Sequence, residues 1–385
     1  MSRAASTTTT KKSMVTVLYD RWYLFALLSI VAFGLVMVAS ASIVISERQY
    51  GHAFHYLLRQ VIYLGLGVAL GLIVVRIPSE RWLQWGGVLL LTSLSLLVLV
   101  LVPGIGREVN GSMRWIGIGP IGMQVSEFAK FSVIVYMASY LQRHEQEVRF
   151  EAKGFIKPML ILCVVAALLL KEPDFGATVV IMSTALGMMF LAGVRLRHYI
   201  VLLSVVLLGL GILAVSSPYR VERMTTFLNP WAVQYNSGYQ LTQSLIAFGR
   251  GGWTGVGLGD SVQKLFYLPE AHTDFLFAVL AEELGLAGIL VVMILYGIFV
   301  GRGILIGRRA ERTERPFAAY VAYGISLWLA FQAMVNMGVN AGVLPTKGLT
   351  LPLMSYGGSS VLIDCMAIAL VFRIDYESRK LQKRR

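Results

Sequence analysis

The recurrence of long apolar runs is the feature that most constrains the fold of this chain. Ten runs are separated by polar segments, at about 22–46, 54–75, 83–103, 125–141, 155–170, 175–193, 198–216, 273–300, 317–339 and 357–373. Most approach the roughly 20 residues that a helix needs to cross about 30 Å of hydrocarbon. Because backbone groups in lipid must find partners within the protein, the runs predict an all-α polytopic membrane protein with about ten transmembrane helices.

Composition and charge exclude an ordinary soluble domain. Hydrophobic residues make up 56% of the 385 residues and charged residues only 14%. The net charge of +13 does not require a nucleic-acid partner, because basic residues beside anionic headgroups primarily set membrane orientation. No basic helix or soluble module remains to bind DNA or RNA, so we expect no nucleic-acid partner and contact with membrane lipid instead.

The distribution of Lys and Arg predicts that both termini face the cytoplasm. When the loops are assigned alternately to the two sides, most basic residues fall on the side of the termini, including Arg302, Arg308, Arg309, Arg312, Arg315, Arg379, Lys380, Lys383, Arg384 and Arg385. We divide the chain into a disordered cytoplasmic tail (1–20), a transmembrane domain (21–376) and a basic cytoplasmic tail (377–385). The domain includes a large extracytoplasmic loop, 217–272, between helices 7 and 8. Ala39-Ser40-Ala41 resembles a signal cleavage site, but the long run around it favours an uncleaved first helix.

Asp274 is the first candidate functional residue. It follows Leu-Pro-Glu-Ala-His-Thr and leads into an apolar run, so it should lie where water gives way to lipid. Ionisable groups at membrane depth are costly and usually face a cavity or a partner, which makes a functional site the default hypothesis. The alternative is an interfacial helix cap.

Two further external segments carry polar residues. Arg114 lies in segment 104–126, which leads into Glu127 and Lys130, and these two share a helix face because they are three residues apart. Lys347 lies among prolines and glycines in segment 336–360, and irregular backbone at membrane depth is tolerated only when it is buried or lines a cavity. We therefore predict that segments 104–126, 217–272 and 336–360 meet around one pocket.

Several common site types are not supported. The glycine-rich run at 249–259 lacks the Gly-Lys-Ser/Thr ending of a nucleotide loop, and close backbone packing is favoured for its glycines. Cys163 and Cys365 fall inside predicted spans and indicate neither a disulfide framework nor a thiolate metal site. His52 and His55 lack a third ligand for a metal.

The residues available on the external face restrict the chemistry. ATP is absent outside the cytoplasm, so a synthetic reaction there needs a substrate that arrives activated, such as a lipid-linked sugar diphosphate. Its leaving group needs cations, a role suited to Arg114, Lys130 or Lys347. The attacking sugar hydroxyl needs a base, and one carboxylate is enough for a single inverting displacement.

The chain contains the strings RWI at 114–116, SEFAK at 126–130, LPEAHTDF at 268–275, AEELG at 281–285 and GVLPTKGLTLPLMSYGGSS at 342–360. These five strings resemble motifs of the SEDS family, the shape, elongation, division and sporulation proteins of bacterial wall synthesis. The resemblance covers nearly the whole chain after residue 20. The strings LNPW at 228–231, GYQLTQSL at 238–245 and SVQKLFYLPEA at 261–271 are more similar to the division branch than to the elongation branch.

This resemblance implies a peptidoglycan glycosyltransferase that polymerises lipid II, the undecaprenyl-diphosphate-linked disaccharide pentapeptide, on the outer face of the bacterial cytoplasmic (inner) membrane at the septum. The essential aspartate of the family corresponds to Asp274, as general base or as ligand of a divalent cation (Mg or Mn); no cofactor is required by the sequence itself. Diphosphate binding and positioning fall to Arg114, Glu127 and Lys130, with Lys347 and Ser355 as weaker candidates. The implied partners are a cognate class B penicillin-binding protein, which is a transpeptidase, and regulatory divisome membrane proteins.

Four other acidic or titratable residues lie near Asp274 in the sequence. Glu270 and His272 precede it and are candidates for substrate binding. For Glu282 and Glu283 we favour structural hydrogen bonds between helices, although helical spacing does not exclude them from the pocket.

Two alternatives to an enzyme remain open. A lipid II flippase would also need a polytopic bundle with a central polar pocket, but the charges gather on one side of the predicted membrane. A non-catalytic divisome scaffold predicts that Asp274 is dispensable for any reaction.

Overall fold

A computed structural model describes residues 19–109, 112–118, 121–151, 153–215, 221 and 225–383. We number its α-helices in chain order as α1 (Arg21–Tyr50), α2 (His55–Arg76), α3 (Ser79–Val100), α4 (Val125–Arg143), α5 (Glu145–Phe150), α6 (Lys153–Lys171), α7 (Phe175–Leu191), α8 (Leu196–Val215), α9 (Tyr239–Gly251), α10 (Leu276–Arg312), α11 (Pro316–Asn340) and α12 (Gly358–Gln382). The prediction of a mostly helical protein is confirmed. Most of the predicted tail 1–20, residues 216–220 and 222–224 of the segment after α8, and residues 384–385 lie outside the described residues.

Each of the ten predicted apolar runs overlaps one long helix. Within the part of the chain that the structure describes, six of these helices are long and apolar enough to cross a membrane: α1, α2, α3, α6, α10 and α11. The helix α4 carries Glu127 and Lys130, but nearly all of its residues are buried among other helices. A helix enclosed by protein does not need an apolar surface towards lipid.

Apolar side chains cover the outside of the bundle. Leu72 on α2, Leu91 on α3 and Leu208 on α8 are 59%, 65% and 66% exposed, among many similar neighbours. Soluble monomers rarely expose large contiguous apolar surfaces. Together with the six apolar helices, this surface defines a multi-pass membrane protein.

The core lies where α4, α7, α10, α11 and α12 pack against one another. Trp328 of α11, Phe131 of α4 and Phe277 of α10 are almost fully buried there. Outside this core, α3 packs on α4 and α2 packs on α12. The beginnings of α4, α7, α10 and α12 therefore come to one end of a densely packed group of helices.

Local sequence fixes several helix ends. The Asp20 side chain accepts a hydrogen bond from the Tyr23 amide at 3.1 Å and caps α1, and the Asp174 side chain caps α7 through the Ala177 amide at 3.1 Å. Pro316 occupies the first position of α11, where the missing amide proton costs nothing. Such caps satisfy amides that have no partner within the helix.

The segment 104–126 corrects the expectation of an all-α protein. It forms a three-stranded antiparallel sheet of β1 (Gly106–Val109), β2 (Ser112–Ile118) and β3 (Ile121–Gln124), in the order β1-β2-β3. Trp115 pairs with Arg107 on one side and with Gln124 on the other. Asn-Gly and Gly-Pro pairs separate the strand sequences, and such pairs are a hairpin signal that a search for apolar runs does not detect.

The helix α10 is interrupted at Gly285, which has φ +62° and ψ −162°. The glycine-rich segment crosses the interruption: the amides of Leu286 and Ala287 donate to the carbonyls of Gly252 and Trp253 at 2.9 and 3.1 Å. A Cβ at position 285 would lie 2.3 Å from the Gly255 amide nitrogen, so this approach requires glycine. Backbone packing therefore accounts for these glycines, as the sequence favoured.

The predicted loop 217–272 has regular structure of its own. It contains a short 3₁₀ helix, Pro230–Val233, and the helix α9, whose Leu241, Ala247 and Gly251 are buried. The helix α9 packs against α10. The helix α9 is therefore part of the folded bundle next to the start of α10.

Candidate active site

A cavity of about 1380 Å³ lies at the end of the bundle where α4, α7, α10 and α12 begin. Its wall takes residues from all three predicted external segments, together with α2 and the α6–α7 connection. Among the residues that the structure describes, the ionisable side chains in the wall, phenols aside, are those of Arg59, Arg107, Arg114, Glu127, Asp174, Glu270, His272, Asp274 and Lys347. The structure thus brings Asp274, Arg114, Glu127, Lys347, Glu270 and His272 to one cavity.

Asp274 lies in the turns that precede α10, and the N-cap position of that helix is Phe275. Its backbone carbonyl accepts hydrogen bonds from the side-chain amides of Asn336 and Asn340 of α11, at 2.8 and 2.9 Å. Its Oδ2 lies 2.8 Å from the point where a Cβ on Gly348 would stand, so the glycine leaves the space beside the carboxylate. The backbone of Asp274 is thereby fixed while its half-buried carboxylate reaches the cavity.

Arg114 lies on β2 and reaches the α6–α7 connection. Its Nε donates to the Glu172 carbonyl at 3.0 Å and its Nη2 to the Pro173 carbonyl at 2.8 Å. Carbonyl acceptors orient the guanidinium without neutralising its charge, and Arg114 forms no ion pair with a carboxylate in the part of the chain that the structure describes. The cavity wall therefore has a fixed cation suited to a phosphate group.

Lys347 adjoins the same part of the wall. Its Nζ lies 4.5 Å from the centre of the Phe175 ring at the start of α7. Gly348, the next residue, is the one that faces the Asp274 carboxylate. Lys347 and Arg114 thus both contact the Pro173–Phe175 turn. Lys347 also immediately precedes Gly348, the residue beside Asp274.

The structure corrects the placement of Lys130, which is 1% exposed and does not line this cavity. Its Nζ donates to Glu127 at 2.9 Å and to the Gln332 side chain at 2.6 Å, and it lies 5.1 Å from the Trp328 ring. The i, i+3 spacing pairs the two charges, and their burial in the bundle leaves only Glu127 at the cavity wall. Gln332 in turn donates to the Thr350 carbonyl at 3.0 Å, so Lys130 supports the Lys347 segment from behind.

Ser355 is also placed outside the cavity wall. Its hydroxyl accepts a hydrogen bond from the Leu351 amide at 3.0 Å, and its carbonyl accepts one from Gln60 at 3.1 Å. The residue is 1% exposed. A serine in a turn commonly satisfies nearby backbone amides, which explains why this hydroxyl is turned away from the cavity.

His272 and Glu270 both line the cavity, in different surroundings. The His272 ring packs against both Tyr56 and Tyr356, with ring centres 4.4 and 5.6 Å away. Burial lowers the pKa of His272, and nearby Glu270 only partly offsets this, so the imidazole is held neutral. Glu270 is exposed and accepts a hydrogen bond from the Thr273 hydroxyl at 2.7 Å, which shapes the turn before Asp274.

Glu282 and Glu283 are fully buried away from the cavity. Glu282 accepts hydrogen bonds from the hydroxyl of Ser261 and from the amides of Val262 and Gln263. Glu283 accepts from the Ser40 hydroxyl at 2.6 Å and pairs with Lys264 at 2.8 Å. These contacts between helices and the 255–264 segment match the structural role that the sequence favoured for both acids.

The sequence analysis missed several polar residues of this region. Asn336 and Asn340 are four apart on α11, and this spacing within an apolar run was the available signal. Glu172 and Asp174 were interpreted only as a hairpin, although acids between two spans are a signal of the same kind as Asp274. Asp364, inside α12, is fully buried.

Glu172, between α6 and α7, is an acid in a strongly perturbed environment. It is fully buried, and neither carboxylate oxygen has a hydrogen-bond partner among the described residues. Burial and the neighbouring charge of Asp174 raise the pKa of Glu172 to about 8, against the opposing effect of Arg114. Glu172 is therefore held protonated at neutral pH, and Arg114 is left without a charged partner there.

The residues present do not form a resident metal site. In the described part of the chain, no group of three or more His, Cys, Asp or Glu side chains is arranged to hold a metal ion. Mg²⁺ in phosphoryl enzymes is commonly bound by one or two carboxylates together with substrate phosphates. Asp274 could hold a metal ion only in this way, as one carboxylate together with the phosphates of a substrate.

The fold and the cavity define a multi-pass membrane protein with a polar site at one end of its helix bundle. The family model FTSW_RODA_SPOVE, described as cell cycle protein, matches residues 21–380. The chain belongs to this family, and the resemblance found in the sequence is confirmed.

Relatives and solved structures agree with this assignment. Proteins named "Probable peptidoglycan glycosyltransferase FtsW" from Coxiella burnetii and Legionella pneumophila are each 60% identical, over 96% and 94% of this chain and 99% and 92% of their own lengths. A chain from a structure described as "Structural coordination of polymerization and crosslinking by a peptidoglycan synthase complex" matches with a TM-score of 0.78 and 30% identity, covering 94% of this chain and 99% of that one. The rod shape determining protein RodA of Thermus thermophilus matches with a TM-score of 0.68 and 29% identity, covering 93% and 96%. The names of the relatives agree with the predicted class of enzyme, a glycosyltransferase of the division branch.

Proposed function

We propose that this protein is a peptidoglycan glycosyltransferase that polymerises lipid II into glycan strands during septal wall synthesis. The observation that carries the proposal is the cavity in which Asp274 is fixed beside a wall containing Arg114 and Lys347. The relatives named as glycosyltransferases of this type are 60% identical over almost their whole length. A cavity of this size has room for the sugars and diphosphates of two lipid-linked substrates.

In the proposed reaction, Asp274 is the general base. It accepts the proton of the acceptor hydroxyl while the hydroxyl oxygen forms a bond to the anomeric carbon of the donor sugar. The bond from that carbon to the lipid diphosphate breaks, and the diphosphate leaves with the electron pair. Arg114 and Lys347 stabilise the charge that develops on the leaving group. One displacement with one base inverts the anomeric centre.

The residues behind the wall position those that face it. Asn336 and Asn340 hold the Asp274 backbone, and Asn336 also donates to the Leu349 carbonyl at 2.6 Å. The Glu127–Lys130–Gln332 contacts hold the same segment through Thr350. Glu127, Lys130 and Ser355 therefore contribute by fixing the shape of the cavity. A divalent cation such as Mg²⁺ or Mn²⁺, if used, would be held by Asp274 and the diphosphate together and would supply charge neutralisation.

We further propose ten membrane spans with both termini in the cytoplasm, in the bacterial inner membrane at the division septum. The cavity would then face the extracytoplasmic side, where lipid II is consumed. The Arg-rich ends of α10 and α12 lie at the opposite end of those helices, which supports this orientation. The boundaries 1–20, 21–376 and 377–385 belong to the same proposal.

A class B penicillin-binding protein is the proposed partner, together with regulatory divisome membrane proteins. The similar structure from a peptidoglycan synthase complex couples polymerisation with crosslinking by its own description, and this supports a transpeptidase partner here. Its proximity would pass each new strand directly to the crosslinking reaction.

The experiment is glycan polymerisation from purified lipid II by the protein with its partner, whose own active site is blocked. We expect Asp274→Ala and Asp274→Asn to lower the rate by at least about 100-fold, because general-base catalysis contributes that much. Asp260→Asn is the matched control, since Asp260 is exposed and does not line the cavity.

Undiminished synthesis by both Asp274 variants would refute the assignment of the base. Absence of synthesis by the wild-type complex, when it still binds lipid II, would favour a flippase or a scaffold. Each preparation should show the wild-type melting temperature, so that loss of activity is not loss of fold.

A further inference from the structure

The beginning of α12 forms part of the cavity wall and has no assigned role. Gly357, Gly358, Ser359 and Ser360 all line the cavity. The helix is 25 residues long, and its N-cap residue, Gly357, supplies no side-chain cap. The amides of its first turn have no acceptor within the helix, and they carry the positive end of the helix dipole.

Ser359 is an independent observation at the same place. The residue is only 3% exposed and lines the cavity. Among the residues that the structure describes, no group forms a hydrogen bond with its hydroxyl. The neighbouring Ser360 differs, because its hydroxyl donates to the Gly357 carbonyl at 3.1 Å. A nearly buried hydroxyl without a protein partner, facing a cavity, is suited to a ligand.

Arg59 of α2 supplies a full positive charge to this part of the wall. It lies beside Tyr356: burial raises the pKa of the Tyr356 phenol, and the Arg59 guanidinium partly offsets that rise. A helix N-terminus with a hydroxyl and a guanidinium is a set of donors that binds phosphate.

The turn before α12 is held rigidly enough to keep these donors in place. Gln60, also on α2, is buried and donates from its Nε2 to the Ser355 carbonyl at 3.1 Å. Its Oε1 accepts from the Gly357 amide at 3.3 Å. One side chain therefore fixes both sides of Tyr356 and connects the turn to the helix that carries Arg59.

The reaction needs two anion sites in one cavity. The donor leaves its lipid diphosphate, whereas the acceptor lipid II keeps its own throughout. The cations Arg114 and Lys347 adjoin Pro173 and Phe175, while Arg59 adjoins Tyr356. The wall thus has two groups of anion-binding residues on different elements.

Asp274 is connected to both groups. Two residues before it, the His272 carbonyl accepts a hydrogen bond from the Tyr356 amide at 3.0 Å. The Asp274 carboxylate itself lies beside Gly348, which follows Lys347. A base in this position reaches an acceptor sugar whose diphosphate and donor are held on different parts of the wall.

We propose that the first turn of α12, with the Ser359 hydroxyl and Arg59, binds the diphosphate of the acceptor lipid II. This rests on the proposed function and deepens it by assigning the second anion site. The full cations Arg114 and Lys347 suit the leaving group, which gains charge. The amides and hydroxyl of α12, with Arg59, suit a diphosphate whose charge does not change.

The test is the initial rate of polymerisation against lipid II concentration for wild type, Ser359→Ala and Arg59→Gln. We expect KM to rise about tenfold in each variant, from the loss of a hydrogen bond to a charged group, with kcat changed less than twofold. Arg59→Lys, which keeps the charge, should recover part of the affinity. The matched controls are Arg48→Gln and Ser139→Ala, whose side chains do not line the cavity.

Inhibition by inorganic pyrophosphate measures anion binding directly, and its strength should not change when only packing changes. We expect Ser359→Ala and Arg59→Gln to weaken that inhibition several-fold relative to the two controls. Unchanged KM and unchanged inhibition would overturn the proposal, and so would a loss confined to kcat. A wild-type complex that makes no glycan would instead refute the proposed function. Failure of the acceptor-site proposal and failure of the proposed function are therefore distinguishable.

Discussion

Buried acids at the two ends of the bundle are treated in opposite ways. At the end where α1 begins and α10 and α12 finish, Asp20 pairs with Arg302 and lies 3.2 Å from Arg379. Burial acts to raise the pKa of Asp20, but Arg302, the Tyr23 amide and Arg379 together hold it below its ordinary value. At the cavity end, burial and Asp174 raise the pKa of Glu172 to about 8. One acid is kept charged by its partners, and the other is kept neutral.

The difference follows from what the neighbouring arginines contact. Arg309 bridges Asp20 and Asp375, and Arg315 pairs with Glu377 and Glu80, so charge is compensated within the protein. Arg114 instead donates to neutral carbonyls beside a protonated Glu172. The first region uses charge to join helices, whereas in the second, among the described residues, Arg114 forms no ion pair, which suits it to the proposed ligand.

Removing an acid from the paired region should cost the most stability. Asp375 is buried and contacts Arg309 and, at 2.9 Å, Arg379. In Asp375→Asn the two arginines would share only Asp20, and we expect the free energy of unfolding to fall by about 3 to 5 kcal/mol. Unfolding in detergent, followed by the loss of monodisperse protein, measures this change.

The matched control is Lys157→Ala, which breaks an exposed ion pair with Glu147 and should leave the stability nearly unchanged. The activity of folded Asp375→Asn should equal that of wild type. Equal stability of the two variants would contradict the view that the buried pairs join the helices.

Removing the Arg114 cation from the cavity should lower the activity and leave the stability nearly unchanged, the opposite of what we expect for Asp375→Asn. We expect Arg114→Gln to lower kcat about 100-fold, because a positioned donor to the leaving group is lost, and to leave the melting temperature nearly unchanged. Arg114→Lys should recover little, since an ammonium does not reproduce the forked contacts to two carbonyls. Polymerisation kinetics and thermal unfolding of the same samples measure both effects.

Arg250→Gln is the control for this variant, because Arg250 is half-exposed, lies outside the cavity and is 3.6 Å from Glu282. Its kinetics should match wild type. A large loss of stability in Arg114→Gln, with activity retained, would place Arg114 with the structural arginines instead.

The positions of the helices were predictable because a lipid-facing helix must be apolar along its length. Each apolar run lies on one helix, and the i, i+3 spacing of Glu127 and Lys130 gave their ion pair. The position of Asp274 at the cavity followed from the same rule, since an acid beside a span needs a polar environment.

Tertiary packing decided what sequence spacing did not reveal. Lys130 was expected at the substrate, but which face of α4 meets the cavity depends on how α11 packs against it. Ser355 was expected there too, and a local turn captured its hydroxyl. The turn that leads to Ser359 is held by Gln60, nearly 300 residues earlier in the chain, and sequence spacing does not reveal such a contact.

The neutral state of Glu172 can be tested through the pH dependence of stability. Because its folded pKa of about 8 exceeds the ordinary value of 4.5, the folded protein keeps a proton that the unfolded chain releases. Its contribution to stability therefore falls as the pH rises from about 4.5 to 8. Glu172→Gln removes the titration, so we expect the variant to match wild type near pH 5 and to melt about 5 °C higher at pH 8.

The control is Glu147→Gln. The carboxyl that it removes is exposed and has its pKa lowered by Lys157, so no gain in melting temperature at pH 8 should appear. A difference between Glu172→Gln and wild type that stays constant with pH would mean that Glu172 is ionised in the folded protein, and Arg114 would then have a charged partner after all.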